Sequence, residues 1–163
     1  MVRIRRSCVV MLILFFAMAK ERLRVIPAVF LLLMKDDRIL LMRRFQTGWC
    51  DGEYGLPSGH LEPGETLLQG ISREVQEEIG VEVREDALKF AGVMHRKSEE
   101  ESYLYFVFVA SDWCGEPMNR EPHKCDHVAW FSLSSLPKNT IPEVITIIQN
   151  YQRGSSYAEY GWV

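Results

Sequence analysis

From Gly59 to Val81 the chain reads Gly-His-Leu-Glu-Pro-Gly-Glu-Thr-Leu-Leu-Gln-Gly-Ile-Ser-Arg-Glu-Val-Gln-Glu-Glu-Ile-Gly-Val. This string constrains the fold more than any other stretch, because it fixes a turn, a helix and the face that the helix shows. Pro63-Gly64 marks a turn, and Glu65 or Thr66 is placed to cap the first exposed amides. The helix then runs to about Ile79 and stops at Gly80, as a glycine C-cap predicts. Each helical residue advances by about 100°. With Glu74 at zero, Glu77 falls near about −60° and Glu78 near about +40°, so the three carboxylates share one arc. Like charges at these spacings weaken a bare helix by a few tenths of a kcal/mol per pair, roughly. A divalent cation offsets that repulsion, and Mg²⁺ characteristically bridges carboxylates to substrate phosphates. A Glu-x-x-Glu-Glu by itself reads as a solvated helix face. Set between these glycines and beside Arg73, it reads as a metal–phosphate platform.

With these residues in place, the segment resembles the signature of the Nudix hydrolase family at every defined position. The resemblance implies an α/β (α+β) fold, the Nudix α/β/α sandwich with a mixed curved sheet. It implies Mg²⁺ as cofactor, with Mn²⁺ as a substitute. It also implies that Glu74 and Glu78 ligate metal, that Glu77 belongs to the same cluster, and that the Ser58 backbone carbonyl is a further ligand. Many relatives carry glycine at the Ser58 position, so the side chain departs from the pattern while the carbonyl remains. Arg73 and Glu65 are expected to pair and hold the loop against the helix, as orienting residues. A second, looser likeness begins at Trp113-Cys-Gly-Glu-Pro-Met-Asn-Arg-Glu121-Pro and continues to Trp130-Phe131. It is similar to the segment after the long strand in the antimutator nucleoside-triphosphatase branch. There a loop glutamate binds metal or activates water, and Glu121 falls on that position. A solvated loop charge is the alternative for Glu121. The catalytic candidates are therefore Arg73, Glu77, Glu78 and Glu121.

The remaining sequence is expected to alternate strands with few helices. Arg24–Met34 and Arg38–Arg44 read as a hairpin around Asp36-Asp37, and 45–58 as a loop. Val81–Val83, Leu88–Arg96, Ser102–Ala110 and Lys124–Phe131 read as further strands, and Pro142 opens a final helix to about Tyr151. Arg43, Arg44 and Arg96 are candidate phosphate contacts. Asn139 and Thr140 fall where the antimutator branch places a base-reading asparagine between two prolines, although the match is displaced. The aromatic tail from Tyr157 to Trp162 is left with two roles, a cap on the pocket or part of a homodimer interface.

With 163 residues and 47% apolar content, the chain supports one domain, expected over 20–163. Its formal charge of −3 excludes a broadly basic surface for duplex nucleic acid and favours a small nucleotide or nucleotide derivative. Cys8, Cys50, Cys114 and Cys125 lack zinc spacing and read as free thiols of a reducing, cytoplasmic compartment. Residues 1–19 stand apart: Arg3, Arg5 and Arg6 precede a short apolar run that ends in Ala17-Met18-Ala19. They read as an extension ahead of a natural start at Met18, as an export signal, or as an extra structured element. The run is too short to span a bilayer as a helix, so no membrane partner is expected. The expected activity is hydrolysis of a nucleoside diphosphate linked to a moiety X, foremost a nucleoside triphosphate yielding monophosphate and pyrophosphate. Dinucleoside polyphosphates, nucleotide sugars and capped RNA are alternative substrates. A non-catalytic nucleotide sensor is the alternative of another class, but such modules typically lose box carboxylates and this chain retains them.

Overall fold

The structure is a computed structural model that describes residues 22–162. The segment 1–19 and its three readings therefore lie outside the described residues. Eight strands are described, together with two helices: β1 (Ile26–Lys35), β2 (Arg38–Arg44), β3 (Tyr54–Gly55), β4 (Ser58–His60), α1 (Leu67–Ile79), β5 (Lys89–Lys97), β6 (Ser102–Ala110), β7 (Cys125–Ser132), α2 (Pro142–Arg153) and β8 (Tyr157–Tyr160). The sheet is mixed and runs β3-β2-β1-β6-β5-β8, with β4 also on β1 and β7 also on β2. β1 pairs β6 in parallel and β5 pairs β8 in parallel; the other pairings are antiparallel.

Strand β1 is the hub because its sequence is apolar on both faces, as a strand covered from both sides must be. Val29, Leu31 and Leu33 pack in one core with Ile71, Val75 and Ile79 of α1. Ala28 and Leu32 pack in the other with Val144, Ile147 and Ile148 of α2. The two helices thus cover opposite faces, which is the expected α/β/α sandwich. Ile71, Val75 and Ile79 are each fully buried, which contributes roughly 1.5–3 kcal/mol per side chain.

Helix α1 begins where the sequence places it. Of the two candidates, Thr66 is the cap: its hydroxyl accepts from Gln69 N–H, and the Gln69 side chain accepts from Thr66 N–H. Gly80 ends the helix in the left-handed conformation at φ 70°. Three expectations need correction. Val81–Val83 is no strand: Glu82 makes a single bridge with Cys114, while Val81 and Val83 turn into the α1 core. The stretch 45–58 is not wholly loop, since it contains β3 and the first residue of β4. The aromatic tail does not cap the pocket. Tyr157–Tyr160 adds β8 to the edge of β5, and the Trp162 indole donates to the His95 carbonyl at 3.0 Å.

Candidate active site

The cleft lies where β4 passes the solvent-facing side of α1 and opens toward α2, with a volume of about 670 Å³. That size suits a nucleotide-sized ligand. Gly59 permits the close approach of strand and helix. A Cβ built there would stand 2.0 Å from the Glu74 carboxyl carbon, so any side chain would displace that carboxylate. One residue earlier, the Ser58 amide donates to Glu78 Oε2 at 2.9 Å.

Arg73 organises the acidic wall. Its Nε and Nη2 reach Glu65 at 3.1 and 2.8 Å, and Nη1 reaches Glu74 at 2.9 Å and Glu77 at 3.2 Å. Nη2 also donates to the His60 carbonyl at 3.1 Å, so the guanidinium ties α1 to β4 as well as to the preceding turn. Glu65 is held below the ordinary carboxylate range by Arg73 and by the Glu62 amide. Arg73 itself is raised, foremost by its bonds to Glu65.

Glu74 and Glu78 shift the opposite way. Burial pushes Glu78 up to about 8, with Glu74 and Glu121 adding repulsion and the Ser58 amide opposing it. Glu74 is also raised, first by burial, then by Glu77 and Glu121, against the pull of Arg73.

Glu121 comes from outside the helix. The loop after β6 docks on the end of α1, where the last carbonyls of a helix lack partners. Met118 N–H donates to Ile79 O at 2.9 Å and Arg120 N–H to Glu78 O at 3.0 Å. Asn119 then clamps the turn, accepting from Glu121 N–H at 3.0 Å and donating to Cys125 O at 2.6 Å. This brings Glu121 into the cleft with Glu74 and Glu78, paired with Lys124 at 2.8 Å. The reading from sequence passed over Asn119. Its signal was an asparagine two residues before a charged loop residue, a local clamp that this residue type makes readily.

Other candidates are committed to other contacts. Arg43 and Arg44 line the cleft but are engaged: Arg43 grips Asp126 at 2.7 and 3.0 Å, and Arg44 holds Trp49 O and Thr47 while lying over the Trp49 ring. Asn139 and Thr140 do not line it. Asn139 donates to Gly52 O at 2.6 Å, and buried Thr140 donates to Pro137 O at 2.8 Å, because both hold the 137–141 turn against β3. The sequence also gave no reason to single out Glu143. It is buried at the start of α2 and lines the cleft, bonded to Arg96 and Tyr105.

The donor set suits a hard divalent cation. Glu74, Glu77, Glu78 and Glu121 line the cleft with carboxyl oxygens, the ligand type such a cation prefers, alongside Arg43, Arg44, Arg73, Arg96 and Lys124. As placed, no three acidic, histidine or cysteine side chains among the described residues stand together at metal-ligand spacing. Glu74 and Glu77 are held by Arg73, and Glu121 by Lys124.

A family model described as NUDIX domain matches residues 23–151, and the chain belongs to this family. It is 31% identical over 115 residues to human 8-oxo-dGDP phosphatase NUDT18, covering 69% of this chain and 33% of that protein. It is 30% identical over 116 residues to the NAD-capped RNA hydrolase NudC of Pseudomonas entomophila, covering 70% and 39%. The chain therefore spans between a third and two-fifths of the length of these relatives. Among solved structures, the MutT NUDIX hydrolase from Burkholderia pseudomallei superposes with a TM-score of 0.72 at 24% identity, over 77% of this chain and 97% of that one, a likeness of fold.

Proposed function

We propose that the protein is a Mg²⁺-dependent pyrophosphohydrolase that cleaves a nucleoside triphosphate to monophosphate and pyrophosphate. One observation carries this reading: Glu74 and Glu78 on α1 and Glu121 on the loop after β6 line one nucleotide-sized cleft. Glu74, Glu78 and the Ser58 carbonyl would hold the cation, with Glu77 and Glu121 completing the set; Mn²⁺ has the same donor preference. When bound, the cation supplies charge neutralisation and Lewis acidity at the pyrophosphate. The chain does the rest. Arg73 fixes the carboxylates of α1 relative to β4, and Glu121, carried on a separate loop, positions the attacking water. In-line displacement requires the attacking and leaving oxygens to be held apart on either side of the phosphorus. Lys124 offsets developing phosphate charge beside Glu121.

A panel of dNTPs, 8-oxo-dGDP, NAD, dinucleoside polyphosphates and nucleotide sugars, assayed with Mg²⁺, with Mn²⁺ and with EDTA, tests the reading. It expects metal-dependent release of pyrophosphate from at least one dNTP. Turnover in EDTA, or no hydrolysis of any dNTP, overturns it.

A further inference from the structure

The cleft has a second polar end that the chemistry above does not use. Glu143 is 4% exposed, yet it lines the cleft. Its Oε2 accepts from Arg96 Nε at 3.1 Å and its Oε1 from the Tyr105 hydroxyl at 3.3 Å. Arg96 lies over the Tyr103 ring, 5.2 Å from its centre. Among the described residues, Nε is the Arg96 atom that donates to another side chain, and the terminal amino groups are not among the buried polar atoms left without partners. Arg96 lines the cleft with its side chain partly exposed, which leaves these amino groups able to donate to a ligand there.

A buried ion pair seldom stabilises a fold better than apolar side chains of the same volume would. A role limited to tying α2 to the sheet would be served equally well by leucine and methionine.

Position suggests another role. Strands β4, β1, β6 and β5 lie side by side. Two inter-strand steps of about 4.8 Å and two residues of about 3.3 Å along the strands put Tyr105 on the order of 12 Å from Ser58 on the backbone; Arg96 lies one strand and two residues further, and its side chain meets that of Tyr105 at Glu143. That is the reach from the phosphates of a nucleotide to the far edge of its base. Phe30, paired with Ser58, and Tyr105, bonded to Glu143, have ring centres 4.4 Å apart and supply an apolar floor from one end to the other.

We infer that Arg96 and Glu143 read the base of the substrate, and that the base is guanine-like. The inference rests on the reading of the cleft as a nucleotide hydrolase site. A carboxylate has about four acceptor sites, and Glu143 keeps a lone pair on each oxygen after serving Arg96 and Tyr105. Guanine presents two adjacent donors, N1–H and the N2 amine, beside the O6 acceptor. The donors meet the two Glu143 oxygens, and O6 accepts from the Arg96 terminal amino groups. Adenine would set its N1 acceptor against the carboxylate. Cytosine and thymine each offer one donor where guanine offers two.

The test is kcat/KM with Mg²⁺ for dGTP, dITP, dATP and dCTP, on the unaltered protein and on Glu143→Gln and Tyr105→Phe, with thermal melting alongside. dITP lacks only the N2 amine. The unaltered protein should favour dGTP over dITP by about tenfold or more, mainly through KM. Glu143→Gln should remove most of that preference, and Tyr105→Phe, which keeps both reading groups, should retain it. If no triphosphate is hydrolysed, the pyrophosphohydrolase reading falls and takes this inference with it. If triphosphates are hydrolysed but the dGTP:dITP ratio is near one, the inference alone is overturned. The same holds if Glu143→Gln lowers all four substrates equally along with the melting temperature.

Discussion

Glu78→Gln should make the metal-free protein more stable while nearly abolishing its activity, and the size of the first effect follows from the site. Burial lifts Glu78 from its ordinary value of 4.5 to about 8, reinforced by Glu74 and Glu121 and opposed by the Ser58 amide and Lys124. The folded chain therefore keeps a proton that the unfolded chain has already lost between those two values. Stability falls as pH rises through that window, by about 1.4 kcal/mol per unit at the steepest. From pH 5.5 to 7.5 the loss amounts to about 2.5 kcal/mol. For a domain of this size that is roughly 5–10 °C in Tm. Glutamine keeps an oxygen for the Ser58 amide but has no proton to lose in this range, so the variant lacks this contribution.

The assay is a thermal melt of both proteins in EDTA at the two pH values. The Tm difference, variant minus unaltered, should widen by roughly 5–10 °C toward higher pH. Added Mg²⁺ should reverse the ranking, because a ligand held by the folded state alone raises Tm for the protein that binds it. Turnover of the variant should drop by at least about 10²-fold. A Tm difference that stays flat between the two pH values would refute the assignment of Glu78 as the buried, proton-holding carboxyl. Full turnover in the variant would refute its role in the reaction.

Further outcomes follow from neighbouring contacts. Gly59→Ala should melt within about 1 kcal/mol of the unaltered protein, since the clash falls on the movable end of Glu74. A carboxylate displaced by an ångström should nonetheless lower kcat/KM by up to about 10²-fold, measured at saturating Mg²⁺. Glu74→Gln should leave the fold intact, by circular dichroism, and cost at least about 10²-fold in activity. Glu121→Gln should lower kcat more than it raises KM, whereas Glu116→Gln, exposed on the same loop, should be nearly silent; equal behaviour in steady-state kinetics would sink the role of Glu121. A chain beginning at Met18 should be soluble and hydrolyse the same substrate, because the first strand among the described residues starts at Ile26; insoluble or inactive protein would show that the earlier residues belong to the fold.

What could be read from the sequence was what is local along it. The cap at Thr66, the stop at Gly80 and the arc of Glu74, Glu77 and Glu78 depend on residues within a few positions of one another, and helical geometry converts spacing into direction. The hairpin of β1 and β2 is local in the same way, with Asp36 taking the left-handed conformation that aspartate tolerates. Val81–Val83 failed because two buried valines flanking an exposed glutamate look alike whether the partner strand is long or is a single bridge to Cys114. The tail failed because β8 pairs in parallel with β5, some sixty residues earlier, and no turn signal announces such a pairing.

The same division separates the two ends of the cleft. The acidic end could be read because one helix carries most of it, and the remaining wall is tied to that helix by the carbonyls of Glu78 and Ile79, which must find donors wherever the chain supplies them. Met118 and Arg120 supply those donors, and Glu121 follows within one residue, so the position of its carboxylate is a consequence of how α1 ends. The other end has no such local anchor. Arg96 and Glu143 are 47 residues apart and meet only because α2 lies across β5 and β6. In sequence one was an arginine in a strand and the other an acid in the first turn of a helix, where a carboxylate is ordinary. Residues that hold a metal near a pyrophosphate have to be gathered tightly, and a helix does this within a few residues of sequence. Residues that distinguish one base from another must stand a nucleotide's length away, and in a domain this small that distance is bridged by the tertiary fold.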